Sequence, residues 1–354
     1  MMINQSSPTI NDTILRGKNS LNFLRFILAS FVIIGHAYPL TSNLDSKIEF
    51  ISGMAVDLFF CASGFLILAS AQRGGALSYL WRRFLRIFPG YWVSMLMILI
   101  FFVPVHLFFV DDARLSESSA VSYVLNNFDL YKLQWGIEGT LGGNPNATWN
   151  GSAWTLWYEF VAYLCLMPVA FIPFVKKYQK TLITVLFLGS LFMRPVLEFM
   201  RPVLEHVDAT TMNMYWQFAR LAPMFLAGSL FYIWGDKIKI NQLAVWGCVF
   251  ITFIIAAFYL KGYLYGFEIL YVYALLGLAS VIKVYWGYRN DLSYGVYIYA
   301  FPVQQVLISF GSEQLHVVIN MLLTFILTLP FAYLSWRFIE KPALGLKRLV
   351  PSRF

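Results

Sequence analysis

The chain has 354 residues, of which 59% are hydrophobic, 18% aromatic and 12% charged, with a net charge of +8. A soluble domain carries about 25% charged residues and 45–50% apolar ones, so half that charge cannot cover a globular surface of this size. Disorder is excluded, a soluble multidomain enzyme is disfavoured, and the composition predicts an all-α polytopic membrane protein. The surplus of Lys and Arg reads as the basic bias of inner loops rather than as a nucleic-acid surface. Cys61, Cys165 and Cys248 each lie in an apolar run, with no Cys or His at ligand spacing, so neither a disulfide framework nor a metal site is expected.

A spanning helix needs roughly 20 mostly apolar residues. In chain order the runs that satisfy this are 20–40, 52–71, 88–110, 154–174, 180–198, 214–234, 242–260, 263–283, 292–311 and 315–338, about ten transmembrane helices in a single membrane-embedded domain, 1–354. The first run lacks a small-residue cleavage site and reads as a span rather than a signal peptide. Segment 1–19 precedes it, 339–354 follows the last span, and 111–153 is the one long connection. That connection ends in the turn-rich "GGNPNATWNGS", with sequons at Asn146 and Asn150. With the N-terminus inside, eighteen of the 26 Lys and Arg fall on the inner side and six on the outer, while Arg25 and Arg220 lie within spans. This bias predicts cytoplasmic termini, a cytoplasmic 72–87 segment and an outward-facing 111–153.

An ionisable residue within a span costs about 2.5–3.5 kcal/mol on insertion scales, which makes it a functional candidate. Span 1 carries two candidates, Arg25 and His36. At 100° per residue their eleven-residue separation leaves them on one helix face, about 16 Å apart along the axis. Arg25 falls near the cytoplasmic end and His36 near the outer end. Span 2 brings Asp57 to the outer level and Ser63 to mid-membrane. "WRRFLR" adds Arg82, Arg83 and Arg86 at the cytoplasmic side, and span 4 opens with Trp154, Tyr158 and Glu159. Arg220 and Glu268 fall in the outer halves of spans 6 and 8.

A ligand with an anionic head inside and a reactive tip deep in the bundle fits this layout, and an acyl-coenzyme A has that shape. His36, whose ordinary titration lies near neutral pH, suits a general base; the bland alternative is a histidine bonded to a carbonyl. Glu159 either orients His36, binds an acceptor hydroxyl, or satisfies early helix amides. Asp57 either serves the chemistry or pairs with Arg220. Positive-inside bias alone accounts most readily for Arg82, whereas Arg83 and Arg86 fit phosphate binding. Ser63 reads as a packing residue or a hydrogen bond in a tunnel, not a nucleophile. Trp154 and Tyr158 are either interfacial anchors or a stacking surface for a sugar. His106, His206 and His316 read as bystanders.

The same residues carry a family resemblance over nearly the whole chain. "RFILASFVIIGH", "AVDLFFCASGFLI", "RRFLRIFPGYW", "SAWTLWYEF", "LSYGVYIYAFPV" and "RFIEKP" occur in the order found in the integral-membrane acyltransferase-3 family. One departure is Ala300, which stands where many members have a His two residues before the ninth-span proline. The resemblance implies a bacterial inner-membrane O-acyltransferase like those that modify polysaccharides, without a fused esterase-like domain. The implied donor is cytoplasmic acyl-coenzyme A, acetyl-CoA foremost, and no metal is needed. The implied acceptor is a carbohydrate hydroxyl, on a polysaccharide or a lipid-linked glycan, at the outer face of the bilayer. His36, Glu159 and Asp57 then take the catalytic positions, and Arg25, Arg83, Arg86 and Ser63 the donor-binding ones. Trp154 and Tyr158 take the acceptor side. Direct transfer and an acyl-His36 intermediate are equally compatible. A secondary transporter of a small anion is the alternative, but it predicts inverted repeats, and the signature charges concentrate in spans 1–4.

Overall fold

The structure, a computed structural model, describes residues 8–41, 50–110, 114–131, 133–258, 266–287 and 290–350. Seven of the charged residues used for topology (Lys47, Asp111, Asp112, Lys132, Lys261, Arg289 and Arg353) lie outside these described residues. So do residues 1–7 of the N-terminal segment and 351–354 of the tail. Among the described residues eleven main helices make up the fold, besides short helical segments at Asp12–Arg16, Pro173–Lys177 and Ser312–Gln314, and the only β pairing is an isolated bridge between Thr9 and Lys239. They are α1 (Leu21–Leu40), α2 (Phe50–Ala71), α3 (Ala76–Phe109), α4 (Glu117–Asn127), α5 (Trp154–Phe171) and α6 (Gln179–Met200), then α7 (Ala209–Trp234), α8 (Gln242–Phe258), α9 (Glu268–Val281), α10 (Ser293–Ser309) and α11 (Val317–Leu349). All except α4 correspond to expected spans.

Two boundaries differ from the sequence reading. α3 begins at Ala76 rather than near residue 88, so Arg82, Arg83 and Arg86 stand on helix rather than in a loop leading into one. Arginines depress a hydropathy average, yet their long stems let a helix carry them past its apolar portion. α11 likewise continues beyond residue 338, through a π turn at Trp336–Glu340, to Leu349.

Among the described residues six helices are long and apolar enough to cross a membrane by length and composition. α10 is not among them, although fifteen of its 17 residues are buried. It is enclosed by other helices rather than by lipid, so polar side chains are tolerated there if each finds a partner. Gln304 donates to Asn320 Oδ1 at 2.8 Å, and Asn320 to Ser312 Oγ at 2.8 Å. Gln305 donates to the Asn146 and Thr148 carbonyls at 2.7 and 2.6 Å, which binds the long connection to the bundle axis.

The described part of that connection, read from the sequence as one long loop, folds into a cap. It contains α4, whose N-terminus is capped by Ser116, and the fully buried Trp149, whose Nε1 donates to Thr140 Oγ1 at 2.8 Å. Asn150, in one of the two sequons, is buried and donates to the Ile298 carbonyl at 3.2 Å. His106 fastens the cap to α3: its Nε2 accepts from the Leu141 amide at 3.0 Å while its Nδ1 faces Ser309 Oγ at 2.8 Å. Both ring nitrogens of His106 are thus engaged in holding the cap.

The segments grouped on one side by charge meet in space. The Ile10 amide donates to the Ile238 carbonyl, Arg16 pairs with Asp236, and Ser20 donates to the Ile282 carbonyl. Trp81 Nε1 donates to the Leu346 carbonyl. The opposite face is closed by 114–153.

Within the bundle, α2 and α7 approach through glycines. A Cβ at Gly64 would collide with the Phe225 carbonyl, and one at Gly228 with that of Cys61. Small residues let helices in a membrane gain packing and interhelical hydrogen bonds, and Ser229 uses the gap to donate to the Gly64 carbonyl at 3.1 Å. Gly64→Ala and Gly228→Ala should each destabilise the protein by at least the roughly 1–3 kcal/mol of an overpacked core, read as a lower melting temperature in detergent. Gly247→Ala, where nothing stands within 4 Å of the added carbon, should leave it unchanged or raise it.

Candidate functional site

Two chambers share Tyr297, and six of the candidate residues divide between them, while Asp57, Arg83 and Arg86 line neither. The inner one is a cavity of about 60 Å³ lined by Arg25, Ser63, Glu159, Ser293 and Tyr294, among others. α1 contributes Arg25, α2 contributes Ser63, and α5 contributes Glu159. Ser63 Oγ donates to Glu159 Oε1 at 2.8 Å, and the Tyr163 hydroxyl donates to the same oxygen. Glu159 thus belongs to the inner chamber, and among the described residues no hydrogen bond joins it to His36. The helix-terminus alternative does not describe it either, because its partners are side chains of α2 and of its own next turn.

Beneath this chamber a cluster of charges ties four segments together. Arg25 Nη1 donates to Asp291 Oδ2 at 2.9 Å and Arg86 Nη2 to the same oxygen at 2.7 Å. Asp291 Oδ1 takes the Ser293 hydroxyl at 2.6 Å and the Ser293 amide at 3.3 Å. Glu340 Oε2 stands 3.8 Å from Arg86 Nη1, and Oε1 accepts from Ser335 at 3.0 Å. The Arg86 guanidinium also lies over the Tyr294 ring, 5.7 Å from its centroid. Burial opposes the charge on Asp291, but Arg25, Arg86 and the Ser293 donors outweigh it and hold the carboxyl below the usual carboxylate range.

Arg83 takes a different direction. It donates to Ser70 Oγ at 3.2 Å and lies over the rings of Tyr79 and Tyr163, at 6.0 and 5.8 Å. Tyr163 therefore connects the Arg83 cation to the carboxylate of Glu159. The Nε of Arg83, with the Nε and Nη2 of Arg82, is buried and has no hydrogen-bond partner among the described residues. A buried guanidinium N–H left unpaired is costly, so these donors suit an anion. Arg82, which charge bias alone would explain, shares this capacity.

The outer chamber is far larger, about 1140 Å³, and opens at the capped face. His36 lines it from α1, and its ring meets Phe301 edge-on with centroids 5.1 Å apart. Among the described residues neither ring nitrogen of His36 has a hydrogen-bond partner, which the carbonyl-bonded alternative would require. Gly35 lets α2 come close at this level, because a Cβ there would collide with Ser52. Trp154, Trp157 and Tyr158 of α5 form one wall, with Trp157 and Tyr158 centroids 4.8 Å apart. The cap adds Tyr131 and Trp135, and α7 adds Asn213, Gln217 and Arg220. An aromatic wall facing amides and a guanidinium is a surface for a ligand with hydroxyls on apolar rings.

Asp57 does not face this cavity. It is 1% exposed and accepts from Arg220 Nε at 2.8 Å, while Arg220 Nη2 donates to the Gly53 carbonyl at 2.7 Å. The pairing alternative describes it: Asp57 orients Arg220, and Arg220 meets the cavity. Val56 and Tyr297 line both chambers. Tyr297 is fixed by Thr155 Oγ1 at 2.6 Å and by donation to the Ser152 carbonyl at 2.8 Å.

Sequence reasoning missed Asp291, Glu340, Tyr163 and Tyr297. Asp291 sits two residues before the serine of a recognised stretch, where a carboxylate beside a helix start attracts no notice. Its partner Arg25 is 266 residues away, and only folding brings them together.

A family profile described as an acyltransferase domain matches residues 18–337. An O-acetyl transferase of Shigella phage Sf6 is 27% identical over 333 residues, covering 91% of this chain and 95% of its own length. Nodulation protein 10 of Rhizobium leguminosarum bv. viciae is 26% identical over 372 residues, covering 95% and 96%. No solved structure gives a significant match.

Asp291→Asn should cost about 3 kcal/mol, because it leaves the largely buried Arg25 guanidinium without its counter-charge and Arg86 with only Glu340 at 3.8 Å. A carboxyl held low stabilises fully above the ordinary carboxylate pKa and loses that contribution only as pH falls through its lowered value. The stability difference between wild type and Asp291→Asn, measured by thermal unfolding in detergent, should therefore be constant from pH 8 to about 5 and shrink only at more acidic pH.

Proposed function

The chain belongs to the acyltransferase-3 family and is an acyltransferase; from that premise we propose that it carries an acyl group, acetyl foremost, from cytoplasmic acyl-coenzyme A to a glycan hydroxyl at the outer face of a bacterial inner membrane. The observation that best supports this reading is the pair of chambers sharing Tyr297 and Val56, with guanidiniums below and, above, an imidazole whose nitrogens have no hydrogen-bond partner among the described residues. No observation favours the transporter alternative.

The donor's phosphates are assigned to the arginine-bearing inner face. Arg83 and Arg82 have donors to spare, and Arg25 and Arg86 hold theirs in fixed orientation through Asp291. The pantetheine arm reaches along the inner chamber past Ser63 and Glu159, and the thioester meets the acceptor near Tyr297. His36 removes the proton from the acceptor hydroxyl. The oxygen attacks the thioester carbonyl, the carbon–oxygen bond forms, the carbon–sulfur bond breaks, and the proton passes to the departing thiolate. A transfer through acyl-His36 uses the same residues in two steps. Arg220, oriented by Asp57, and the wall of Trp154 and Tyr158 hold the acceptor, with ring faces available to sugar C–H groups.

Three variants test these roles. His36→Ala should fold, insert and bind acyl-coenzyme A as wild type does, yet transfer should fall by at least about 10². Near-wild-type transfer by the folded variant would remove the mechanism. Arg83→Ala should weaken acyl-coenzyme A binding by roughly ten- to a hundredfold, the contribution of a charge-assisted hydrogen bond of about 1.5–3 kcal/mol. For orientation, a cysteine placed at Ser118 should react with an impermeant maleimide added outside intact cells; reaction only after the inner face is exposed would reverse the topology.

A further inference from the structure

The inner chamber is small, and one side chain separates it from a much larger space. Its volume of about 60 Å³ equals that of about two waters. A thioester that reaches Tyr297 therefore has room for little more than a methyl group beside it. A third cavity, of about 500 Å³, lies between α2, α5, α6 and α7, with an almost wholly apolar lining that includes Ala162, Ile183, Phe218 and Phe225. Val185 and Leu186 of α6 line it too and are 58% and 41% exposed, so it is a groove open sideways. Phe60, itself 4% exposed, is the only described residue that lines both the inner chamber and this groove.

That wall is held from two sides. One turn further along α2, Ser63 Oγ donates to Glu159 Oε1 of α5 at 2.8 Å. At the next residue, Gly64 brings the α2 backbone so close to the Phe225 carbonyl of α7 that no Cβ fits. α2 therefore cannot swing away to widen the chamber, and a close-packed interior does not stretch to take added methylenes. Phe59 also lines the chamber and meets the Tyr297 ring edge-on, with centroids 6.0 Å apart. Aromatic rings thus wall the space beside Tyr297.

Resting on the acyl-coenzyme A reading above, we propose that Phe60 restricts the donor to short acyl groups: its ring closes the inner chamber just beyond an acetyl methyl and shuts off an apolar groove able to hold a longer chain. Extra carbons on the donor meet the ring and hold the thioester carbonyl away from the acceptor hydroxyl. Without the ring they run into the groove, where burial of each methylene is worth about fourfold in affinity.

Donor binding tests this independently of the acceptor. Wild type, Phe60→Ala and the milder Phe60→Leu are placed in nanodiscs with a control, Phe218→Ala, which enlarges the groove but leaves its wall. Affinities are measured for coenzyme A and for its acetyl, butyryl and octanoyl thioesters, and a diazirine at the end of the octanoyl chain records where that chain lies. Wild type and Phe218→Ala should bind octanoyl-coenzyme A at least about tenfold more weakly than acetyl-coenzyme A. Phe60→Ala should bind coenzyme A as wild type does, bind octanoyl-coenzyme A at least as tightly as acetyl-coenzyme A, and be crosslinked on α6 or α7. Phe60→Leu should gain butyryl-coenzyme A. Adding Gly189→Phe to Phe60→Ala should reverse the gain, because Gly189 lines the groove and no atom stands within 4 Å of a carbon added there. Five results would overturn the inference and leave the acyltransfer reading standing: equal wild-type affinity for acetyl- and octanoyl-coenzyme A, an unchanged preference in both Phe60 variants, the same gain in Phe218→Ala, a gain that survives Gly189→Phe, or loss of coenzyme A binding by both Phe60 variants. A wild type that binds neither coenzyme A nor any of its thioesters would instead defeat the acyltransfer reading, and the inference with it.

Discussion

The carboxylate of Asp291 is the point on which the inner half of the bundle depends. It accepts from Arg25 of α1, Arg86 of α3 and Ser293 at the start of α10. Two guanidiniums at this depth would repel each other and α10 would begin with unsatisfied amides; one carboxylate answers both problems. Removing a partner from such a cluster is far more damaging than its net contribution suggests, because the remaining charges stay buried. The cluster also fixes orientation. Each arginine spends one N–H on Asp291, so its remaining donors are aimed rather than free to rotate, which is the preorganisation an anion site requires.

α10 carries that order from the inner face to the outer one. Its N-terminus is held by Asp291, its middle by Tyr297, and its far end by Gln305 and the cap. Such a polar helix is stable in a membrane protein only because its neighbours, rather than lipid, satisfy it. The separation of the chambers follows from this. Tyr297 is locked between Thr155 and the Ser152 carbonyl, so Arg25 and Glu159 remain on one side of it and His36 on the other.

Much was determined by sequence alone. Ten apolar runs became ten helices, because a segment of that length and composition has no better partner than lipid or another helix. The ordered motifs identified the family, and the helical repeat placed Arg25 and His36 at separate levels of one helix. The composition of α3 and α11 hid their full length, since arginines lower an average without ending a helix.

What only the tertiary structure decided was pairing. Asp57 and Glu159 both carry a carboxylate at a similar depth on neighbouring helices, yet one is spent on Arg220 and the other on Ser63 and Tyr163. Asp291 carries no local mark at all. The reason is that a buried charge is defined by the atoms around it, and those atoms come from helices hundreds of residues apart in the chain. Periodicity assigns a residue to a helix face and hydropathy assigns it a depth, but neither states which face of which helix stands opposite.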